Sequence, residues 1–130
     1  MSITEQIQQL ATDARAAAQV LGSLSSAVKN DLLQKMATRL INNSEQLAIE
    51  NEKDLVAARE AGLAPAMIDR LVLDATRIRA MADGLREVAE LPDPVGEVTG
   101  MRRRPNGLLV GRMRIPLGVI GIIYESRPNV

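Results

Sequence analysis

The chain has 130 residues, 46% hydrophobic and 25% charged, with 16 basic and 16 acidic side chains and no net charge. That length allows one small domain with a core, and the balanced charge gives no global field toward nucleic acid or membrane. There is no Cys and no His, which removes disulfides, thiol and imidazole catalysis and the usual zinc sites.

Tyr124 is the one aromatic residue, so the core must be aliphatic, and so thin a core suits part of a larger fold. No apolar run reaches the roughly 18 residues that suggest a membrane span. The opening residues lack the basic and apolar regions of a signal peptide. A cytoplasmic protein is therefore expected, with neither membrane nor nucleic acid as partner.

Residues 1–91 read as five helices. Ser2 and Glu5 fit a capping box, and Ile3, Ile7, Leu10, Ala14, Ala17 and Leu21 follow at helical spacing until Gly22. Ser25 or Ser26 caps a second helix with Val28, Leu32, Leu33, Met36, Leu40 and Ile41 on its apolar side. Asn42-Asn43 ends it, and Ser44 is the expected cap of a third helix carrying Leu47, Ala48, Leu55 and Ala58 to a stop at Gly62. Pro65 opens a short fourth helix to about Leu71. Asp74 caps a fifth, with Ile78, Met81, Leu85 and Val88 expected inward. Charged strings at Asn51–Asp54 and Ile68–Leu71 read as surface ion pairing.

Leu91-Pro-Asp-Pro-Val95 breaks the helical pattern. Val98–Arg104 and Leu108–Ile115 then read as two strands joined by Pro105-Asn106-Gly107, a turn rich in residues that tolerate positive φ. Arg102, Arg103, Arg104, Arg112 and Arg114 face one acid, Glu97, across this hairpin. Without interleaved aromatics the pattern favours a solvated or subunit-facing surface over a nucleic-acid site. Gly118 and Gly121 open no helix, so they form no phosphate loop; simple packing and close ligand approach remain equal readings.

Val119–Tyr124 reads as a buried strand that runs into Glu125, Ser126, Arg127, Pro128 and Asn129. Polar groups at the carboxyl end of such a strand are where open α/β sheets place binding sites. Arg127 offers a planar fork for a carboxylate or phosphate. The Asn129 amide could donate to a developing oxyanion. Glu125 and Ser126 could meet ribose or phosphate-side groups.

Two stretches, Arg104–Leu108 and Val110–Asn129 with its Tyr-Glu-Ser-Arg-Pro-Asn string, resemble the N-terminal part of the gamma-glutamyl phosphate reductases (glutamate-5-semialdehyde dehydrogenases). Asn51–Asp54, Asp69–Leu71 and Gly84–Val98 extend the resemblance in order along essentially the whole chain. It implies an α/β fold of the aldehyde dehydrogenase superfamily. Residues 1–91 would be a helical layer, 96–116 a projecting hairpin, and 117–130 the first strand of the cofactor-binding sheet with its rim. The N-terminus would be natural, and the catalytic domain would lie beyond Val130.

The resemblance further implies that the complete protein reduces L-glutamyl 5-phosphate with NADPH, giving glutamate 5-semialdehyde and phosphate, a step of proline biosynthesis. In the family a Cys thiolate displaces the phosphate, and this chain has no Cys, so the fragment alone is expected to be inactive. Tyr124, Glu125 and Ser126 would face the cofactor, Arg127 the substrate's anionic group, and Asn129 the oxyanion, although superfamily members usually show Pro-Trp-Asn there. Homo-oligomers would form through the 97–115 hairpin. The alternative is an interaction module without catalysis.

Overall fold

The structure is a computed structural model that describes residues 2–123 and Pro128. Five helices precede a two-stranded hairpin, in the predicted order: α1 (Ile3–Gly22), α2 (Ser26–Asn42), α3 (Ser44–Glu60), α4 (Pro65–Leu71), α5 (Ala75–Glu90), β1 (Val98–Arg103) and β2 (Leu109–Met113).

The helix ends follow local chemistry. The Ser2 hydroxyl accepts from the Glu5 amide, and the Glu5 carboxylate accepts from the Ser2 N–H at 2.6 Å, which completes the capping box. The Asp74 carboxylate accepts from the Arg77 amide at 2.8 Å and caps α5. Gly62 takes φ of 71°. Leu63 N–H reaches Ala58 C=O and Gly62 N–H reaches Arg59 C=O, the paired bonds of a Schellman stop that favours glycine.

One cap departs from expectation. Ser44 is the first residue of α3, and Asn43 occupies the cap position without a side-chain bond to the helix that follows. The Asn43 amide instead donates back to Arg39 C=O at 2.7 Å, closing the end of α2.

The chain divides into two compact units, Met1–Ser26 with Pro92–Gly121, and Ala27–Leu91 with Ile122–Val130. The second holds the core. Its buried apolar side chains are Ala37, Leu55, Ala58, Ile78, Ala82 and Ala89, with Ile78 the largest that is fully enclosed. α3 packs on α4 and α5. The inner line of α5 is Ile78, Ala82 and Ala89, whereas Met81 and Leu85 are half-buried and Val88 is exposed. Of the expected line Ile78 is enclosed, Met81 and Leu85 are partly covered and only Val88 is not, and Ala82 and Ala89 are the other enclosed positions.

In the first unit the strands pair antiparallel, Val98 with Met113 and Thr99 with Arg112, then Arg102 with Val110. Two residues, Gly100 and Met101, therefore oppose the single Gly111, and Gly100 takes φ of 66°, the signature of a β-bulge. A Cβ at Gly111 would overlap the Met101 thioether. The connecting turn closes through Gly107 N–H to Arg104 C=O, with Gly107 at φ 86°.

The expected third strand is not formed among the described residues. Residues 117–123 carry neither helix nor strand, and Leu117 and Ile123 stand 90% and 104% exposed. A strand exists only through a ladder, and the sheet here contains β1 and β2 alone.

Candidate functional site

Tyr124, Glu125, Ser126, Arg127 and Asn129 lie outside the described residues, so their assigned roles are not read from the structure. Pro128 is described. It lines a cleft of about 560 Å³ with Asp69, Arg70, Val72, Leu73, Arg77, Ala80 and Met81.

The wall of that cleft is the connection from α4 to α5, and two side chains hold it. Asn51, 6% exposed on α3, donates through its amide nitrogen to Leu71 C=O at 2.9 Å and accepts from Leu73 N–H at 2.7 Å. One amide thus satisfies a donor and an acceptor on the same short connection, as a buried polar group must. From the other side, Arg77 donates to Val72 C=O at 2.8 Å and to Asp69 C=O, and pairs with the Asp69 carboxylate at 3.0 Å. Arg77 is thereby committed to the wall. Arg70 also lines the cleft, and it forms no ion pair among the described residues.

The charged strings divide accordingly. Lys53 pairs with Glu50 at 2.7 Å on an exposed face, as surface pairing predicts. Asn51 does not belong with them. Its signal was its place four residues from Leu47 and from Leu55, on the apolar line of α3. Asp69 pairs eight residues on, with Arg77, not within its own helix.

On the hairpin, Arg114 pairs with Glu97 at 3.2 Å and Arg103 donates to Gly107 C=O at 3.4 Å. Arg102, Arg104 and Arg112 line one shallow depression beside Gly100 and Gly111. Among the described residues no group of His, Cys, Asp or Glu could hold a metal, and no helix is long and apolar enough to cross a membrane.

A dinucleotide is usually gripped where a strand passes into a helix N-terminus. No strand is followed by a helix among the described residues.

No family model matches the chain. Comparison with individual proteins is informative over its full length. The gamma-glutamyl phosphate reductases of Geotalea daltonii and Geobacter metallireducens are 62% and 64% identical across all 130 residues. The chain spans 31% of the length of each. The solved gamma-glutamyl phosphate reductase of Thermotoga maritima superposes with a TM-score of 0.90 at 39% identity, over 94% of this chain and 30% of that one. The enzyme from Saccharomyces cerevisiae gives 0.87 at 36%, over 99% and 32%.

The helical layer and the bulged hairpin are therefore those of the corresponding stretch of the solved gamma-glutamyl phosphate reductases. The chain belongs to the gamma-glutamyl phosphate reductase family, as a stretch about a third as long as the relatives it matches.

Proposed function

We propose that the complete protein containing this chain reduces L-glutamyl 5-phosphate to L-glutamate 5-semialdehyde with release of phosphate, in proline biosynthesis in the cytoplasm. The supporting observation is the identity of 64% carried without a break in coverage over all 130 residues to a reductase of that name. NADPH as reductant and membership of the aldehyde dehydrogenase superfamily follow from the motif resemblance of the Tyr124–Asn129 string.

In this reading Tyr124, Glu125 and Ser126 face the cofactor and Arg127 binds the anionic end of the substrate. Asn129 donates to the oxyanion. The displacing thiol comes from sequence outside these 130 residues, which contain no Cys. The hairpin joins subunits in a homo-oligomer. The chain on its own is inactive.

The test is NADPH oxidation by the purified complete protein, supplied with glutamyl phosphate. Turnover is expected from that protein and none from the 130-residue chain. In the complete protein, Arg127→Gln should raise KM for the acyl phosphate at least tenfold. Absence of turnover with a stable, folded complete protein would reject the reading, and turnover by the short chain would reject the role given to the missing thiol.

A second reading, an interaction module without catalysis, draws on one observation. The unit of α1 and the hairpin has no buried residue among those described. Light scattering on the purified chain separates the two, since a well-folded monomer counts against the module.

A further inference from the structure

Leu71, Val72 and Leu73 follow one another where α4 passes toward α5, and each has a backbone group held by a side chain from another helix. Asn51 on α3 takes Leu71 C=O and Leu73 N–H, and Arg77 on α5 takes Val72 C=O. The end of a helix needs partners only for its last carbonyls. The bond from Leu73 N–H lies past the Val72 cap of α4, so it fixes the course of the connection as well as the helix end. Asn51 is buried while it does so, and a buried amide gives up its hydration only where both its ends are met.

The connection held in this way is a wall of the cleft. Val72, Leu73 and Pro128 line it together, and all three belong to the same compact unit. In the sequence Pro128 stands between Arg127 and Asn129, the residues assigned to the substrate's anionic group and to the oxyanion. A proline fixes its own φ and narrows the choices of the residue before it. The Arg127-Pro128 step therefore has little freedom to absorb a shift in the cleft.

We infer that Asn51 is a positioning residue for the reaction. Together with Arg77 it sets the wall that Pro128 faces across the cleft, and through that wall the placement of the substrate-side neighbours of Pro128. That role rests on the function proposed above.

The experiment is steady-state kinetics on the complete protein carrying Asn51→Leu, Asn51→Asp or Leu55→Ala. Asn51→Asp keeps the side-chain volume and the acceptor for Leu73 N–H, but an ionised carboxylate cannot donate to Leu71 C=O. Leu55, buried one turn further along α3, is apolar and cannot hold the connection by hydrogen bonds. A change that only destabilises the fold lowers the active fraction, and with it the apparent kcat, and leaves each KM in place. Misplaced substrate-binding groups should instead raise KM for glutamyl phosphate, roughly tenfold in Asn51→Leu and about threefold in Asn51→Asp. KM for NADPH should stay within about twofold in both, and Leu55→Ala should move neither KM by more than about twofold.

An unchanged KM for glutamyl phosphate in the Asn51 variants overturns the inference, and so does an equal rise in Leu55→Ala. Asn51→Asp decides alone if Asn51→Leu does not fold. Normal turnover by the unsubstituted protein with unaltered variants rejects the positioning role only. Absence of turnover by the unsubstituted protein rejects the proposed function, and the positioning role with it.

Discussion

The two units are built from similar aliphatic residues and use them differently. In the helical unit, Ile78 is completely enclosed, with Ala37, Leu55, Ala58, Ala82 and Ala89 also buried. In the other, α1 has an apolar stripe at good helical spacing, yet Ile3 is 80% exposed and Leu10 is 68% exposed, and no residue of α1 is buried. Amphipathic patterning earns stability only where another surface meets it. Local capping and turn chemistry are equally sound in both units, so what separates them is tertiary cover.

The sharpest way to break this comparison is to delete the same kind of side chain in each unit. Ile78→Ala should cost about 2–5 kcal/mol through lost burial and the cavity left behind. Leu10→Ala should cost less than about 0.5 kcal/mol, as exposed substitutions do. Urea unfolding followed by circular dichroism reads both. Equal losses would mean that the stripe of α1 is covered in solution.

Asn51→Leu should be next in size. It strands Leu71 C=O and Leu73 N–H beside an apolar side chain, at about 1–3 kcal/mol. The same unfolding curve checks the stability. Hydrogen exchange at Leu73 should accelerate more than at residues of α2, which locates the damage at the cleft wall.

Asp74→Ala removes the α5 cap and should cost about 1 kcal/mol. Ser2→Ala removes the corresponding cap from α1, but with no core to couple to, its effect should appear as faster local exchange at Glu5 and leave the urea midpoint in place. A midpoint shift of similar size for both would remove the contrast.

The smallest effect has the opposite sign. Gly84 lies within α5 with nothing within 4 Å of where a Cβ would stand. Gly84→Ala should stabilise the helical unit by about 0.4–1 kcal/mol, seen as a higher melting temperature.

Features set by short-range chemistry were legible in the sequence. The Ser2–Glu5 box, the Gly62 stop, Pro65 at the start of α4 and the Asp74 cap each depend on residues a few positions apart. The hairpin was legible too, but its bulge was not, because two glycines and a methionine fix the register only when both strands are seen together. Val88 was misplaced because periodicity cannot tell which of two adjacent lines on a helix is covered. Asn51 was hidden among charged neighbours, although its place on the apolar line of α3 was a usable signal. The third strand was legible only as an apolar run, since a ladder is a property of two segments and β1 and β2 pair only with each other among the described residues. The site string itself, Tyr124–Arg127 and Asn129, was legible only as a family motif.

Asn51 also acts as an index mark. A helix turns about 100° per residue, so rotating α3 by one position would present Glu50 or Glu52 to the backbone of Leu71 and Leu73. An ionised carboxylate accepts hydrogen bonds but donates none, and could answer Leu73 N–H while leaving Leu71 C=O facing a negative charge. Only the amide reads both backbone groups at once. It fixes the rotational phase of α3, which the apolar side chains around it, each nearly interchangeable with the next, would leave loosely set.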